Sequence, residues 1–276
     1  MATYESILKE RFGYNHLRPG QDQIIKHLIE NRKDVCGVLA TGAGKSLCYQ
    51  LPAIYLKQTA IVISPLISLM KDQRMALEAK NISCVVLKGD TPNFLNVLQD
   101  VIDGKYLIVY TTPEHISGNF GFITQMVKKN TLALIAIDEA HCISQWGHDF
   151  RPSYRHLQEL RDHTQSVPIL ALTATATPAI ITDICKALKL HDPVIVNTGI
   201  RRDNLAMLVH PKSSGSRNPS ERSILKDLKE VLLRPSDAHN ESAIIYTQSR
   251  KESETLCTIL QNDGYPAQFY HAGMSD

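Results

Sequence analysis

Short, almost wholly apolar segments alternate with amphipathic segments along the first part of the chain. Continuous apolar runs of this length are typical of strands that are buried on both faces of a sheet. Such runs occupy residues 34–40, 60–64, 83–87, 105–110, 132–138 and 168–173. The amphipathic segments have helical spacing and occupy residues 21–31, 46–56, 68–80, 91–102 and 179–190. Strands that alternate with helices predict an α/β fold with a parallel sheet and helices on both faces.

The pattern changes near residue 200, and we therefore predict two domains, residues 1–200 and residues 201–276. The second part contains two predicted strands, a predicted helix and a loop rich in Ser, Gly and Pro, at residues 205–210, 242–247, 223–233 and 211–221 respectively. A complete α/β domain usually takes about 100 residues or more. We therefore expect the second domain to be incomplete.

Composition indicates an ordinary soluble protein. Hydrophobic residues make up 43% and charged residues 21% of the 276 positions. The net charge of +2 neither requires nor excludes a nucleic-acid partner. The first residues are polar and charged, and no apolar run approaches the ~20 residues that cross a bilayer, so we expect neither a signal peptide nor a membrane span. The scattered cysteines form no Cys-x-x-Cys pair, which is typical of reduced thiols in the cytosol or nucleus.

A glycine-rich segment, TGAGKS (41–46, the phosphate loop), joins the first predicted strand to a predicted helix. Glycines at such a turn let backbone N–H groups approach a phosphate, and the helix N-terminus adds partial positive charge. Lys45 is expected to reach the β and γ phosphates of ATP, and the Ser46 hydroxyl to ligate Mg²⁺. The eight-position Walker pattern has glycine where this chain has Leu39, and the alternative is a turn with no ligand. The nucleotide-binding residues expected in this loop are Thr41, Gly42, Gly44, Lys45 and Ser46.

Two acids, Asp138 and Glu139, directly follow the apolar segment 132–137. Ligands of open α/β sheets bind at the carboxyl ends of the strands, where these side chains are expected to lie. Asp138 can hold Mg²⁺ through water, and Glu139 can orient or deprotonate the water that attacks ATP. The alternative is a solvated strand end or a helix cap.

The motif DEAH (138–141) together with the phosphate loop resembles superfamily 2 helicases. Longer segments resemble the RecQ family of DNA helicases: ERFGYNHLRPGQ (10–21), ISPLISLMKDQ (63–73), DEAHCISQWGHDFRPSYRHL (138–157), LTATAT (172–177) and YHAGMSD (270–276). The segment TPEHISGNFG (112–121) is most similar to the Werner-type branch.

This resemblance implies a P-loop RecA-like domain followed by an incomplete second RecA-like domain. It implies an ATP-dependent 3′-to-5′ DNA helicase that uses ATP and Mg²⁺. The expected partners are single-stranded DNA and 3′-tailed or branched DNA, with roles in repair, recombination and replication in the nucleus.

The resemblance also implies roles for the residues that bind nucleotide. Gln21 is expected to form two hydrogen bonds with the adenine edge, while Tyr14 and Arg18 stack around the base. The alternative for Tyr14 and Phe12 is a place in the helix core, which we favour for Phe12. His141, in the DEAH motif, is expected to have a hydrogen-bonding or relay role.

The segment after DEAH corresponds to the family's aromatic-rich loop, which we define as residues 144–151. Trp146, the only tryptophan, and Phe150 are placed where a base of single-stranded DNA could stack, and Arg151 is expected to contact a phosphate or an aromatic ring. Gly147 and the polar neighbours argue against a buried structural tryptophan. The other expected DNA contacts are Ser64, Pro65 and His271.

Metal binding by His141 and His148 is not expected, because the sequence spacing indicates no cluster of thiols or carboxylates around them. The segment 200–204 departs from the family's hinge sequence. The sequence reaches Asp276 without the family's motifs V and VI, which carry an arginine finger that can be worth ~10³–10⁵ in rate. We therefore expect slow hydrolysis and little unwinding. Two alternatives stay open: a binder of ATP or DNA without turnover, and another P-loop ATPase that acts on protein or RNA.

Overall fold

The computed structural model describes residues 3–146, 149–199, 205–209, 211, 221–229 and 242–274. The chain divides into two compact units, Met1–Arg202 and Asp203–Asp276. Among the described residues, no helix combines the length and the apolar character that crossing a bilayer requires. The segment 200–204, whose sequence departs from the family's hinge, lies outside the described residues.

The first unit is built on a seven-stranded sheet in which every paired strand is parallel. The strands are β1 Val35–Val38, β2 Thr59–Ile63, β3 Cys84–Leu87, β4 Ile108–Thr111, β5 Leu132–Ile137, β6 Ile169–Thr173 and β7 Val194–Asn197. Their order across the sheet is β3-β4-β2-β5-β6-β1-β7. The predicted α/β fold is confirmed. Strand β7 was not predicted, because it is short, lies at the sheet edge and buries only Val196.

Helices cover both faces of this sheet. Those of the first unit are α1 Tyr4–Ile7, α2 Gln21–Ile29, α3 Leu47–Leu56, α4 Ile67–Glu78, α5 Phe94–Ile102, α6 Pro113–Ile116, α7 Gly121–Lys128, α8 Pro152–Arg155, α9 Leu160–Thr164 and α10 Pro178–Ala187. A π-helical turn, Leu8–Phe12, follows α1, and short 3₁₀ helices occupy Ala140–Ile143 and His156–Glu159. Helices α2, α3, α4, α5 and α10 occupy predicted segments, whereas the short helices and α7 were not predicted.

Alternating side chains of the strands form two separate apolar cores. In β2, Ile61 and Ile63 join one core, which helices α5, α7 and α10 complete. Ala60 and Val62 point to the opposite face and join the other core, which α2, α3 and α4 complete. Successive strand residues point to opposite faces, so a strand buried on both sides must be apolar throughout.

A buried ion pair between Asp34 and Arg161 connects the amino ends of three strands. The Asp34 carboxylate accepts hydrogen bonds from Arg161 at 2.5 Å, from the Ile169 N–H at 2.8 Å and from the His191 N–H at 2.6 Å. Asp34 precedes β1, Ile169 begins β6, and His191 precedes β7. Asp34 and Arg161 are 4% and 7% exposed. The several donors compensate for the desolvation of the carboxylate.

The second unit contains helices α11 Glu221–Lys229 and α12 Arg250–Asn262. The strands predicted at 205–210 and 242–247 are absent from the described part of these segments. Met207, Val209 and Tyr246 are 95%, 96% and 91% exposed. A strand requires a hydrogen-bonded neighbour, and neither segment has one among the described residues, so these two predictions were wrong. The prediction of an incomplete RecA-like domain stays a prediction.

Candidate nucleotide and nucleic-acid site

Three neighbouring strands bring distant motifs to one edge of the sheet. Strands β5, β6 and β1 are adjacent and parallel, so their carboxyl ends lie side by side. The phosphate loop follows β1, the DEAH motif follows β5, and the segment 174–177 follows β6. This edge is where ligands bind in open α/β sheets.

The phosphate loop turns through two glycines in the left-handed region. Gly42 has φ +79° and Gly44 has φ +82°, which side chains with a Cβ rarely adopt. Helix α3 begins directly after the loop, at Leu47. The positive end of this helix therefore points to the position where an anion would bind.

Gln21 ties the N-terminal segment to the phosphate loop. Its side-chain amide donates to the carbonyls of Ala43 at 3.0 Å and Gly44 at 2.9 Å, and accepts from the Arg18 N–H at 2.8 Å. The Arg18 guanidinium donates to the Gly42 carbonyl. Both N–H groups of the Gln21 amide are thus engaged by the loop, and adenine recognition by this residue stays a prediction.

A cavity of 370 Å³ lies between this segment and the phosphate loop. Its walls include Tyr14, Arg18, Gln21, Gly42, Gly44 and Ser46, all of which were predicted to bind nucleotide. Phe12 lines the same cavity while also packing against the core. Thr41 and Lys45 belong to the loop without lining this cavity. Further polar lining that the sequence did not indicate comes from Gln50 of α3, Gln73 of α4 and Lys80, two residues after the end of α4.

The two acids lie directly after β5 in different environments. Burial, and then the nearby charge of Glu139, raise the pKa of Asp138 to about 6, against the opposing charge of Lys45. Asp138 and Ser46 line one small cavity of 20 Å³. A carboxylate and a hydroxyl on one cavity supply oxygen ligands of the kind that magnesium prefers. Glu139 has φ +48° and is 29% exposed at its side chain.

His141 joins the acids to the segment after β6. Its Nδ1 lies 2.9 Å from the Thr173 hydroxyl and 3.3 Å from a Glu139 carboxylate oxygen. Thr173 also donates to the Thr175 carbonyl at 3.1 Å. The DEAH motif and the segment 174–177 are therefore connected through one buried imidazole.

The aromatic-rich loop lies beside these acids. Trp146 is 83% exposed, which leaves its ring available for stacking. Arg155, in α8, places its guanidinium 5.7 Å from the centre of the Phe150 ring. Arg151 instead pairs with Asp149 at 3.2 Å and donates to the Pro65 carbonyl at 3.4 Å. Arg155 therefore makes the cation–π contact with Phe150, while the contact of Arg151 with DNA stays a prediction.

Further contacts connect the aromatic-rich loop and α8 with the acids and with the segment after β4. The buried Tyr154 hydroxyl donates to the Asp138 carbonyl at 2.9 Å. Ser153 donates to Glu114 at 2.7 Å. Neither tyrosine nor serine was singled out from the sequence, since both lie in a segment without strong periodicity. Gly147 and His148 lie outside the described residues.

The other residues predicted to contact DNA are Ser64, Pro65 and His271. Ser64 is only 3% exposed, which buries its hydroxyl, and its N–H donates to the Thr111 carbonyl at 3.0 Å. Neither the hydroxyl nor the N–H is therefore available to a DNA phosphate here. Pro65 is half-buried. His271 lies in the second unit, where its Nε2 is 2.8 Å from Glu254 and its ring stacks on Phe269.

Comparison with known proteins gives one family and many relatives. The family model described as DEAD/DEAH box helicase matches residues 18–184. The chain is 43% identical to the mouse bifunctional 3′-5′ exonuclease/ATP-dependent helicase WRN, over 99% of this chain and 19% of that protein. It is 40% identical to the ATP-dependent DNA helicase RecQ of Bacillus subtilis, over 99% of this chain and 44% of that protein.

A protein of Acanthamoeba polyphaga mimivirus whose name assigns it to ATP-dependent RNA helicases, R290, is 40% identical over 99% of this chain and 47% of its own length. The chain thus spans less than half the length of these relatives.

Two solved structures are similar in fold. One is Mycobacterium smegmatis helicase Lhr bound to single-stranded DNA and AMP-PNP (TM-score 0.64, 19% identity, 99% of this chain, 38% of that one). The other is helicase MrfA bound to DNA and AMPPNP (TM-score 0.68, 18% identity, 96% of this chain, 38% of that one).

Proposed function

Because the chain belongs to the DEAD/DEAH box helicase family, as a member of RecQ type, we propose that it is the nucleotide-binding core of an ATP-dependent DNA helicase. The observation that carries this proposal is the meeting of the phosphate loop with Asp138 and Glu139. These groups lie on loops after β1 and β5, strands that flank β6 in the sheet. Ser46 and Asp138 line the same small cavity.

The residues divide the chemistry of ATP hydrolysis among them. Lys45 holds the β and γ phosphates, and the glycines of the phosphate loop let its backbone approach them. Ser46 and Asp138 would hold Mg²⁺, which, when bound, neutralises charge that develops on the phosphates. Glu139 orients the attacking water and accepts its proton. The segment around Gln21 forms a wall of the nucleotide cavity and is joined to the phosphate loop by two hydrogen bonds.

Single-stranded DNA is the polymer proposed to bind at the aromatic-rich loop. Trp146 offers an exposed ring on which a base can stack, and such stacking is worth about 1–3 kcal/mol per base. Helix α8, which directly follows the loop, connects it to the hydrolytic site, since Tyr154 of α8 donates to the Asp138 carbonyl. DNA that moves this loop would therefore move the acid that holds Mg²⁺, which is a physical basis for DNA-stimulated hydrolysis.

Finer parts of the proposal fit the RecQ-type relatives. We propose translocation in the 3′-to-5′ direction, action on 3′-tailed or branched DNA, and roles in repair, recombination and replication. As a separate proposal, we place the protein in the nucleus. Displacement of a labelled strand from 3′-tailed and 5′-tailed duplexes measures the direction, and a fluorescent fusion measures the compartment. Equal displacement of both duplexes would contradict the 3′-to-5′ direction. A fusion confined outside the nucleus would contradict the nuclear location.

The central test is ATP turnover with Mg²⁺ in the absence and presence of single-stranded DNA or RNA of matched sequence. The control is Glu139→Gln, which keeps the side-chain shape and removes the base. We expect DNA to raise turnover in the unchanged chain and the variant to bind ATP with little turnover. Binding of ATP and DNA without turnover in both proteins would favour a non-catalytic binder. Stronger stimulation by RNA would favour an RNA-directed ATPase.

A further inference from the structure

Three side chains with metal-binding atoms converge at the end of the DEAH motif. The Cys142 sulfur lies 3.8 Å from His141 Nε2 and 3.8 Å from Asp149 Oδ2. One ligand atom from each residue lies within 4.8 Å of the others. His141 and Cys142 are buried, and Asp149 is exposed. The sequence spacing did not indicate this cluster, because Asp149 lies seven residues after Cys142 and the two side chains meet only in the folded chain.

The two separations at Cys142 are close to those of a tetrahedral zinc site, and the third, between His141 and Asp149, is within 4.8 Å. Bonds of about 2.3 Å to sulfur and about 2.0–2.2 Å to nitrogen or oxygen place neighbouring ligand atoms roughly 3.3–3.6 Å apart. The observed 3.8 Å distances at Cys142 therefore need to shorten by only a few tenths of an ångström. The exposed Asp149 side chain can make the larger part of this adjustment by a rotation of its carboxylate.

The neighbours of His141 prepare its Nε2 atom as a ligand. His141 Nδ1 lies 2.9 Å from the Thr173 hydroxyl and 3.3 Å from a Glu139 carboxylate oxygen. An ionised carboxylate only accepts hydrogen bonds, so it favours the tautomer that carries its proton on Nδ1. Nε2 is the ring nitrogen that lies 3.8 Å from the Cys142 sulfur. An outer hydrogen bond of this kind is the usual support of a metal-bound histidine.

From this geometry we propose that His141, Cys142 and Asp149 form a binding site for a thiophilic divalent cation, with zinc as the ion that fits best. A thiolate and an imidazole favour zinc over magnesium, so this site is distinct in chemistry from the oxygen site at Ser46 and Asp138. Three protein ligands leave a fourth position for water.

Binding requires two changes in the site. Burial, and then the Asp149 charge, raise the pKa of Cys142 to about 12, so the thiol is protonated near neutral pH and passes its proton to solvent when the metal–sulfur bond forms. Asp149 also pairs with Arg151 through Oδ2, at 3.3 Å from Nε and 3.2 Å from the terminal nitrogen. The cation would replace or share this pairing, which would join the aromatic-rich loop to the 3₁₀ helix Ala140–Ile143.

The test uses Co²⁺ as a spectroscopic probe with the reduced, metal-free chain, and needs no ATP turnover. We expect one equivalent to produce the absorption of a thiolate-to-cobalt charge transfer, and one equivalent of Zn²⁺ to remove it. Cys142→Ser should abolish this absorption. The matched control is Cys185→Ser, in α10, the only cysteine that is not buried, and it should keep the absorption. Circular dichroism verifies that each variant is folded.

Asp149→Asn supplies a second variant that is safe for folding, since Asp149 lies on the surface. We expect about 10-fold or more weaker Co²⁺ binding in this variant, with Asp162→Asn as the exposed control that binds normally. Absence of the charge-transfer absorption from the unchanged chain would overturn the proposal. Unchanged absorption in either Cys142→Ser or Asp149→Asn would overturn it as well. Neither result would bear on the ATP site, which the turnover assay tests separately.

Discussion

Lys45 and Asp138 illustrate how single residues acquire their properties from groups far away in sequence. The charge of Lys45 lowers the pKa of Asp138, but burial and the charge of Glu139 raise it by more, to about 6. Lys45 could be identified from its motif alone, because Gly-Lys-Ser between a strand and a helix is a strong local pattern. The raised pKa of Asp138 could not be identified from the sequence, because it depends on which loops meet at the sheet edge.

Lys45→Ala should abolish most ATP turnover. The variant removes the cation expected to hold the phosphates, and loss of one such preorganised group typically costs about 10²–10³-fold in kcat. Turnover with saturating Mg-ATP measures the effect. Lys186→Ala, an exposed lysine of α10, serves as the control and should keep its turnover. Equal turnover by both variants would contradict the role of Lys45.

Trp146→Ala should weaken binding of single-stranded DNA by about 5- to 150-fold, the equivalent of one lost stacking contact. Because the side chain is 83% exposed, the free energy of unfolding should change by less than about 0.5 kcal/mol. Fluorescence anisotropy of a labelled oligonucleotide measures the affinity, and urea denaturation measures the stability. Leu95→Ala, 77% exposed in α5, is a suitable control. A large loss of stability would indicate a structural tryptophan instead.

At the scale of elements, the strands were more predictable than the connections between them. A continuous apolar run such as that of β5 specifies burial on both faces whatever its neighbours are. The edge strand β7 lacked this signal, and helices α6, α8 and α9 are too short to establish a helical period. The predicted strands of the second unit failed for another reason, since a strand depends on a partner that its own sequence does not provide.

Arg161→Ala should destabilise the first unit by about 3–5 kcal/mol. The variant leaves the buried Asp34 carboxylate without its guanidinium partner, and an unpaired buried charge is costly. Urea denaturation at neutral pH measures the loss. The exposed pair of Lys189 and Asp162, at 3.1 Å, gives the control: Lys189→Ala should change stability by no more than about 1 kcal/mol. Similar losses in the two variants would refute the anchoring role of Asp34.

At the scale of the whole molecule, the apolar cores belong to the first unit. Among the described residues, the two cores at the sheet and a smaller cluster of helix residues all lie within Met1–Arg202. In the described part of the second unit, the buried residues are Cys257, Ile259 and Leu260 of α12. Independent stability is therefore expected of the first unit.

Residues 1–202 expressed alone should fold cooperatively and bind Mg-ATP with an affinity within a few-fold of that of the full chain. The reason is that its sheet, both its cores and the expected nucleotide contacts lie inside this range. Near-ultraviolet circular dichroism, urea denaturation and titration with a fluorescent ATP analogue measure the result. A non-cooperative transition or lost nucleotide binding would indicate that residues after 202 are required.

The sequence by itself determined strands β1 to β6 and the helices α2, α3, α4, α5 and α10, the phosphate loop, the acids after β5 and the RecQ resemblance. These features follow from local periodicity and from contiguous motifs, which can be recognised without knowledge of distant contacts. The tertiary structure alone decided that β5, β6 and β1 are neighbours, that Arg155 contacts Phe150, and that Asp149 meets Cys142. Such contacts depend on strand pairing and loop closure between residues far apart in the chain, and local patterns carry no information about either.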